Sequence, residues 1–126
     1  MIDRVDHFVL TVRNLERSRD FYVRGLGMGL ESFGNGRTAL TFGNQKINLH
    51  IAEGSPILPR ASFPTPGSAD ICFICSISLQ NVIEILRERN LPIELGPVER
   101  TGAKGRIESI YLRDPDMNLI ELSEYK

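Results

Sequence analysis

The stretch NQKINLHIAE, residues 44–53, decides how this chain is read. Ile47, Leu49 and Ile51 alternate with Asn48, His50 and Ala52, the period of a half-buried strand with one apolar face. One of only two histidines in the sequence therefore sits mid-strand, where β-branched and aromatic side chains are commoner. Taken alone, His50 is an ordinary satisfied polar residue. Its meaning depends on what the flanking segments do.

Upstream, HFVLTV near residues 4–12 reads as a first strand. Asn14 is placed to cap a helix over LERSRDFYVR, which Gly25 stops. GLESFG and RTALTFG follow as strands with GNG and GN as turns, so residues up to about 54 spell βαβββ. Downstream, GSPILPRASFPTPGS has no period and is rich in Pro, Ser and Gly, the composition of a loop or linker over about 55–67. The order then repeats from about 68 to 126. ADICFICSI is a strand, Ser78 caps a helix with Leu79, Val82, Ile83 and Leu86 on one face, and Asn90 and Pro92 end it. PIELGPVE, RIESIYLRD and NLIELSEY are three further strands, with Asp-Pro-Asp at 114–116 forming the last turn. The expected fold class is α+β: two tandem βαβββ units in one domain, building a curved, cup-like mixed sheet with helices outside.

Composition agrees with a globular domain and narrows the function. The 126 residues suffice for one core, and a formal net charge of −1 offers no basic field for nucleic acid. No apolar run approaches the roughly 20 residues of a membrane span, and the charged N-terminus lacks a signal-peptide core, so cytoplasmic residence is expected. Cys72 and Cys75 form C-x-x-C, but three residues along a strand place them about 10 Å apart and on opposite faces, beyond disulfide reach. They are expected to be buried apolar fillers.

Laying the halves over one another matches His7 with Asp70 and His50 with Glu121. Each lies on the strand face opposite the more regular apolar one. If both units feed a shared curved sheet, two imidazoles and two carboxylates converge, a coherent set for one divalent first-row metal.

IDRVDHFVLTVRNLERSRDFYVRGLGM, FGNQKINLHIAE, PGSADICFI and IYLRDPDMNLIELSEY together resemble the vicinal oxygen chelate superfamily, which includes glyoxalase I, extradiol dioxygenases, fosfomycin-resistance thiol transferases and bleomycin-binding proteins. The likeness is greatest to the branch of glyoxalase domain-containing protein 5 and bacterial virulence proteins. It implies one divalent transition metal (Ni, Zn, Co, Mn or Fe) held by His7 and Glu121, with His50 where glyoxalase I bears a carboxylate. Asp70 stands where three-ligand members carry His, as a fourth ligand, direct or through a held water. Glu121 takes the role of catalytic base.

The implied activity is that of a glyoxalase I-like lyase or isomerase on a small oxygenated substrate, such as a thiol adduct, through a metal-stabilised enediolate or oxyanion. The alternatives are an extradiol-type dioxygenase, a thiol transferase, or a non-catalytic small-molecule-binding protein. Arg100, Lys104 and Arg106 lie in a stretch that reads first as a solvated hairpin tip with scattered charges and otherwise as a mobile loop; in the second case they are candidates to meet a substrate carboxylate or phosphate, and Arg60 in the linker is a weaker one. A homodimer is expected, with a small-molecule substrate and neither nucleic acid nor membrane as partner.

Overall fold

The alternation around residue 47 is realised as β4 (Gln45–Ile51), which lies beside β1 (His7–Val12) in parallel and β3 (Arg37–Phe42) in antiparallel orientation. With β2 (Gly29–Phe33) these strands form a mixed sheet in the order β1-β4-β3-β2. The computed structural model describes residues 1–126 and divides them into two units, Met1–Ser68 and Ala69–Lys126. In the second unit, β5 (Asp70–Ile74), β6 (Leu95–Gly102), β7 (Gly105–Arg113) and β8 (Leu119–Tyr125) repeat the pattern as β5-β8-β7-β6, with β5 parallel to β8. The expected α+β fold of two tandem βαβββ units is thus realised as two four-stranded mixed sheets, with ladder hydrogen bonds joining the strands within each unit.

Each sheet buries one face. In the first, Leu10, Val12, Leu40, Ile47 and Leu49 are buried, as are Phe21 and Tyr22 of the helical segment, whose rings meet edge to face at 4.9 Å. Asn14 caps α1 (Leu15–Arg19) by accepting the Arg17 N–H at 3.0 Å. The segment then widens into a π-helical stretch, Asp20–Gly25, where an α-helix was expected; the wider turn coincides with two consecutive buried aromatics. In the second unit, α2 (Leu79–Glu88) lies against β8 with Leu79, Val82 and Leu86 buried. Ser78 caps its start by accepting the Asn81 N–H, and Asn90 ends it at φ +57°.

The β3–β4 turn is tight, with Gly43 at φ +51° where a two-residue hairpin loop favours glycine. The β7–β8 turn is longer and built on the buried Asp114. Its Oδ1 accepts the Asp116 and Asn118 N–H groups, both at 2.9 Å, and its Oδ2 accepts the Asn118 amide at 2.7 Å. Asn118 Oδ1 in turn accepts the Ala69 N–H at the mouth of β5.

The stretch around Arg100, Lys104 and Arg106 is a hairpin, paired as β6–β7 with its register broken only between Leu95 and Val98, where Pro97 has no N–H to give. One expectation is corrected here. Cys72 is exposed rather than a buried filler, because its strand position faces away from the core, and Cys75 lies past the end of β5 and is half-buried. Both thiols are free. No helix is long and apolar enough to cross a membrane.

Candidate functional site

Residues paired across a ladder point to the same side of the sheet, so register fixes which side chains share the open faces. In the second sheet Cys72 pairs with Glu121 and Glu121 with Tyr111, while Ile74, Ser123 and Ser109 form the next row. Glu121 is consequently braced. Its Oε2 accepts Ser109 Oγ–H at 2.7 Å and Ser123 Oγ–H at 3.3 Å, and the two hydroxyls are 2.7 Å apart. Both serines are fully buried, so this brace is sheltered from water. Cys72 Sγ sits 3.3 Å from Ser123 Oγ. Burial pushes its thiol pKa up, and the neighbouring Glu121 carboxylate pushes the same way against the opposing Ser123 contact.

Arg100 is the one candidate cation that shares this face. Its Nε donates to Tyr111 Oη at 3.0 Å, and its guanidinium lies 5.5 Å from the ring centre. Arg106, one step out of phase, is paired to Glu99 at 2.6 Å, and the Lys104 N–H donates to Tyr125 Oη. Asp70, exposed at the start of β5, shares a row with Leu119 and Arg113, and Arg113 grips Glu94 with two nitrogens at 3.0 and 3.1 Å. That grip holds the Glu94 pKa below its ordinary value.

The first sheet shows where the sequence alignment slipped. His7 pairs with Lys46, Val9 with Asn48 and Thr11 with His50. Asp70 heads β5 as His7 heads β1, and Glu121 is paired two residues further along β5 from Asp70. The matching position two residues beyond His7 is occupied by Asn48, not His50. His50 corresponds instead to Ser123. The slip is invisible in sequence because both residues lie on the same face of β4 and differ only by one row. Asn48 is 5% exposed, and its Oδ1 has no hydrogen-bond partner.

His7 Nδ1 is 2.7 Å from Asp6 Oδ2, a contact that orients the imidazole ring. The contact lowers the Asp6 pKa. His50 differs. Its Nε2 is buried without a partner, and burial, followed by the charge of Arg37, lowers its pKa. It lines a cleft of about 170 Å³ at the ends of β1 and β4 under the 54–64 segment. The structure therefore places two candidates, His7 and His50, on the first sheet and two, Asp70 and Glu121, on the second. Neither unit by itself gathers three His, Cys, Asp or Glu side chains able to hold a metal. Asn48 and the Ser109–Ser123 pair escaped the sequence reading; only a register could have singled them out.

A duplicated βαβββ unit with a polar residue repeated on each open face defines a class. The chain matches the family described as Glyoxalase/Bleomycin resistance protein/Dioxygenase superfamily over residues 4–122, and it belongs to that superfamily, whose members commonly use a divalent metal. It is 52% identical over 125 residues to virulence protein STM3117 of Salmonella typhimurium, covering 99% of this chain and 86% of that one. The crystal structure of that protein superposes with a TM-score of 0.97 over 100% of this chain and 99% of that one. Glyoxalase domain-containing protein RDO1 of Mycosarcoma maydis is 50% identical over 122 residues, covering 97% of this chain and 68% of that protein. A lactoylglutathione lyase from Agrobacterium tumefaciens, 18% identical, shares the fold with a TM-score of 0.73 over 98% and 94% of the two chains.

Proposed function

We propose that this protein is a divalent-metal-dependent, glyoxalase I-like lyase or isomerase acting on a small oxygenated substrate, such as a thiol adduct with adjacent oxygens. The observation that carries the reading is Glu121, a carboxylate on an open sheet face aimed by two buried serine hydroxyls. The fold shared with a lactoylglutathione lyase supports it.

By donor type the first unit offers the His7 imidazole and the unpartnered Asn48 amide oxygen, and the second the Asp70 and Glu121 carboxylates, groups that suit a hard-to-borderline divalent cation. A bound divalent ion supplies Lewis acidity to the substrate oxygens and so lowers the energy of the charge that develops there. The chain's own residues do the rest. Asp6 orients the His7 ring. Ser109 and Ser123 hold Glu121 against rotation, so that its carboxylate takes a proton from one substrate carbon and returns it to the neighbouring one. Arg100, fixed on Tyr111 in the same row as Glu121, is the cation proposed to meet an anionic substrate group; Arg106 is engaged with Glu99 within the hairpin.

The protein is proposed to be a homodimer, since Met1, Ile2, Val5, Phe63 and Ile74 leave apolar surface uncovered; sedimentation velocity tests this. Free thiols at Cys72 and Cys75 suit a cytoplasmic location. The activity is tested by giving protein reconstituted with nickel, zinc, cobalt or manganese the hemithioacetal of methylglyoxal and glutathione. Thioester formation that vanishes with chelator and with E121Q supports the reading. Absence of turnover with all four metals removes it, and oxygen uptake with catechols after anaerobic iron loading would replace it by the dioxygenase.

A further inference from the structure

The cleft beside His50 has a composition that the proposed reaction does not use. Its polar lining is Thr11, Arg37, Thr38, His50, Ser55 and Arg60, and no carboxylate lines it. Neither guanidinium is spent on an ion pair. Arg37 lies over the Phe33 ring at 4.8 Å, a contact that orients the group without neutralising it, and Arg60 extends from the exposed 54–64 segment. In the same lining the buried His50 Nε2 has no partner. A polar atom so placed is open to a hydrogen-bonding group from outside the chain. Two unpaired planar cations, three hydroxyls and one orphaned imidazole nitrogen form a site for an anion.

Size and walls narrow the anion. About 170 Å³ is well below the roughly 300–1,000 Å³ of pockets that enclose drug-sized ligands, so the cleft takes a small molecule or one end of a larger one. Ile51, Ile57, Leu15 and Pro64 supply apolar wall, which suits a carboxylate carried on a short apolar stub better than a fully hydrated phosphate. Planar guanidinium groups also match a carboxylate with two parallel hydrogen bonds.

We propose that the Arg37–His50–Arg60 cleft is a carboxylate-binding site formed by the first unit alone, in which His50 is a hydrogen-bonding wall and not a metal ligand. It is independent of the metal reading and stands or falls separately from it.

Calorimetric titration of the full-length protein in excess EDTA, with benzoate, its uncharged isostere benzamide, and inorganic phosphate, tests this. Benzoate is expected to bind one per chain in the millimolar range or tighter, with benzamide at least about tenfold weaker, since loss of a charge-assisted pair is worth that much. R60Q, at an exposed position that leaves folding intact, is expected to weaken benzoate at least about tenfold, and R37Q likewise. The His50 ring signals in NMR shift with benzoate, and E121Q binds it as the unaltered protein does. The proposal is overturned if benzoate does not saturate, if benzamide binds equally well, if R60Q and R37Q leave affinity unchanged, if phosphate binds and benzoate does not, or if binding appears only with added metal.

Discussion

The two sheets carry the same connection order and the same strand pairing, yet their open faces are chemically unlike. The second holds a carboxylate, Glu121, with a buried hydroxyl brace and a thiol beside it. The first holds an amide, Asn48, at the matching position, with its oxygen unpartnered, and one row away a cleft with two unpaired arginines. A repeated backbone conserves where side chains point; it does not conserve what they are. The proposed proton transfer therefore rests on the second unit, and the proposed carboxylate cleft on the first.

The sharpest way to break this comparison is to neutralise its two equivalent positions. E121Q is expected to lower turnover of the hemithioacetal on the order of 10²- to 10⁴-fold, the usual worth of a positioned general base. N48A should cost far less in turnover and show itself chiefly as weaker metal retention, read by equilibrium dialysis. Equal losses in turnover would mean that the halves share the chemistry.

The turns provide the next contrast. D114A removes the acceptor of three buried hydrogen bonds and should destabilise by about 3 kcal/mol. G43A in the tighter first-unit turn, at φ +51°, should cost about 1 kcal/mol, the strain of a left-handed alanine. Urea midpoints measure both, and a reversed order would show that the longer turn is not the firmer one.

Smaller still is the brace itself. S109A deletes one buried donor to Glu121 but leaves Ser123 in place. A loss of about 1 kcal/mol and a drop in kcat at nearly constant KM are expected, since aim rather than binding is impaired.

The smallest effect is electrostatic. The folded-state pKa of His50 lies below the ordinary 6.5, so between the two values the unfolded chain binds more protons than the native one. Its contribution to stability is complete above about 6.5 and falls away as pH drops through the lowered folded value. Comparing urea midpoints at about pH 7.5 and 5.5, in the unaltered protein and in H50Q, isolates this term. The variant is expected to lose less stability on acidification.

Much of the fold was legible. Asn14 and Ser78 cap as their side chains demand, Asn90 ends its helix in the left-handed region, and Asp114 organises the last turn. Strand faces followed from alternation. The π-helical stretch at Asp20–Gly25 did not, because it depends on how neighbouring segments pack.

The site was legible by face but not by row. A period of two tells which residues leave the core, and it selected His7, His50, Asp70 and Glu121 correctly as residues off the apolar face. It cannot tell Asn48 from His50, which differ by one full period. Nor could it foresee that Ser109 and Ser123 brace Glu121, since Ser109 lies on a different strand.

By itself the sequence determined the duplicated βαβββ order and the buried faces, because hydrophobic period, caps and turns act over a few neighbouring residues. Only the tertiary structure decided which polar residues correspond between the halves, which arginines are engaged and that His50 lines a cleft. Those facts rest on ladder register and on contacts between residues far apart in the chain, and no local preference encodes either.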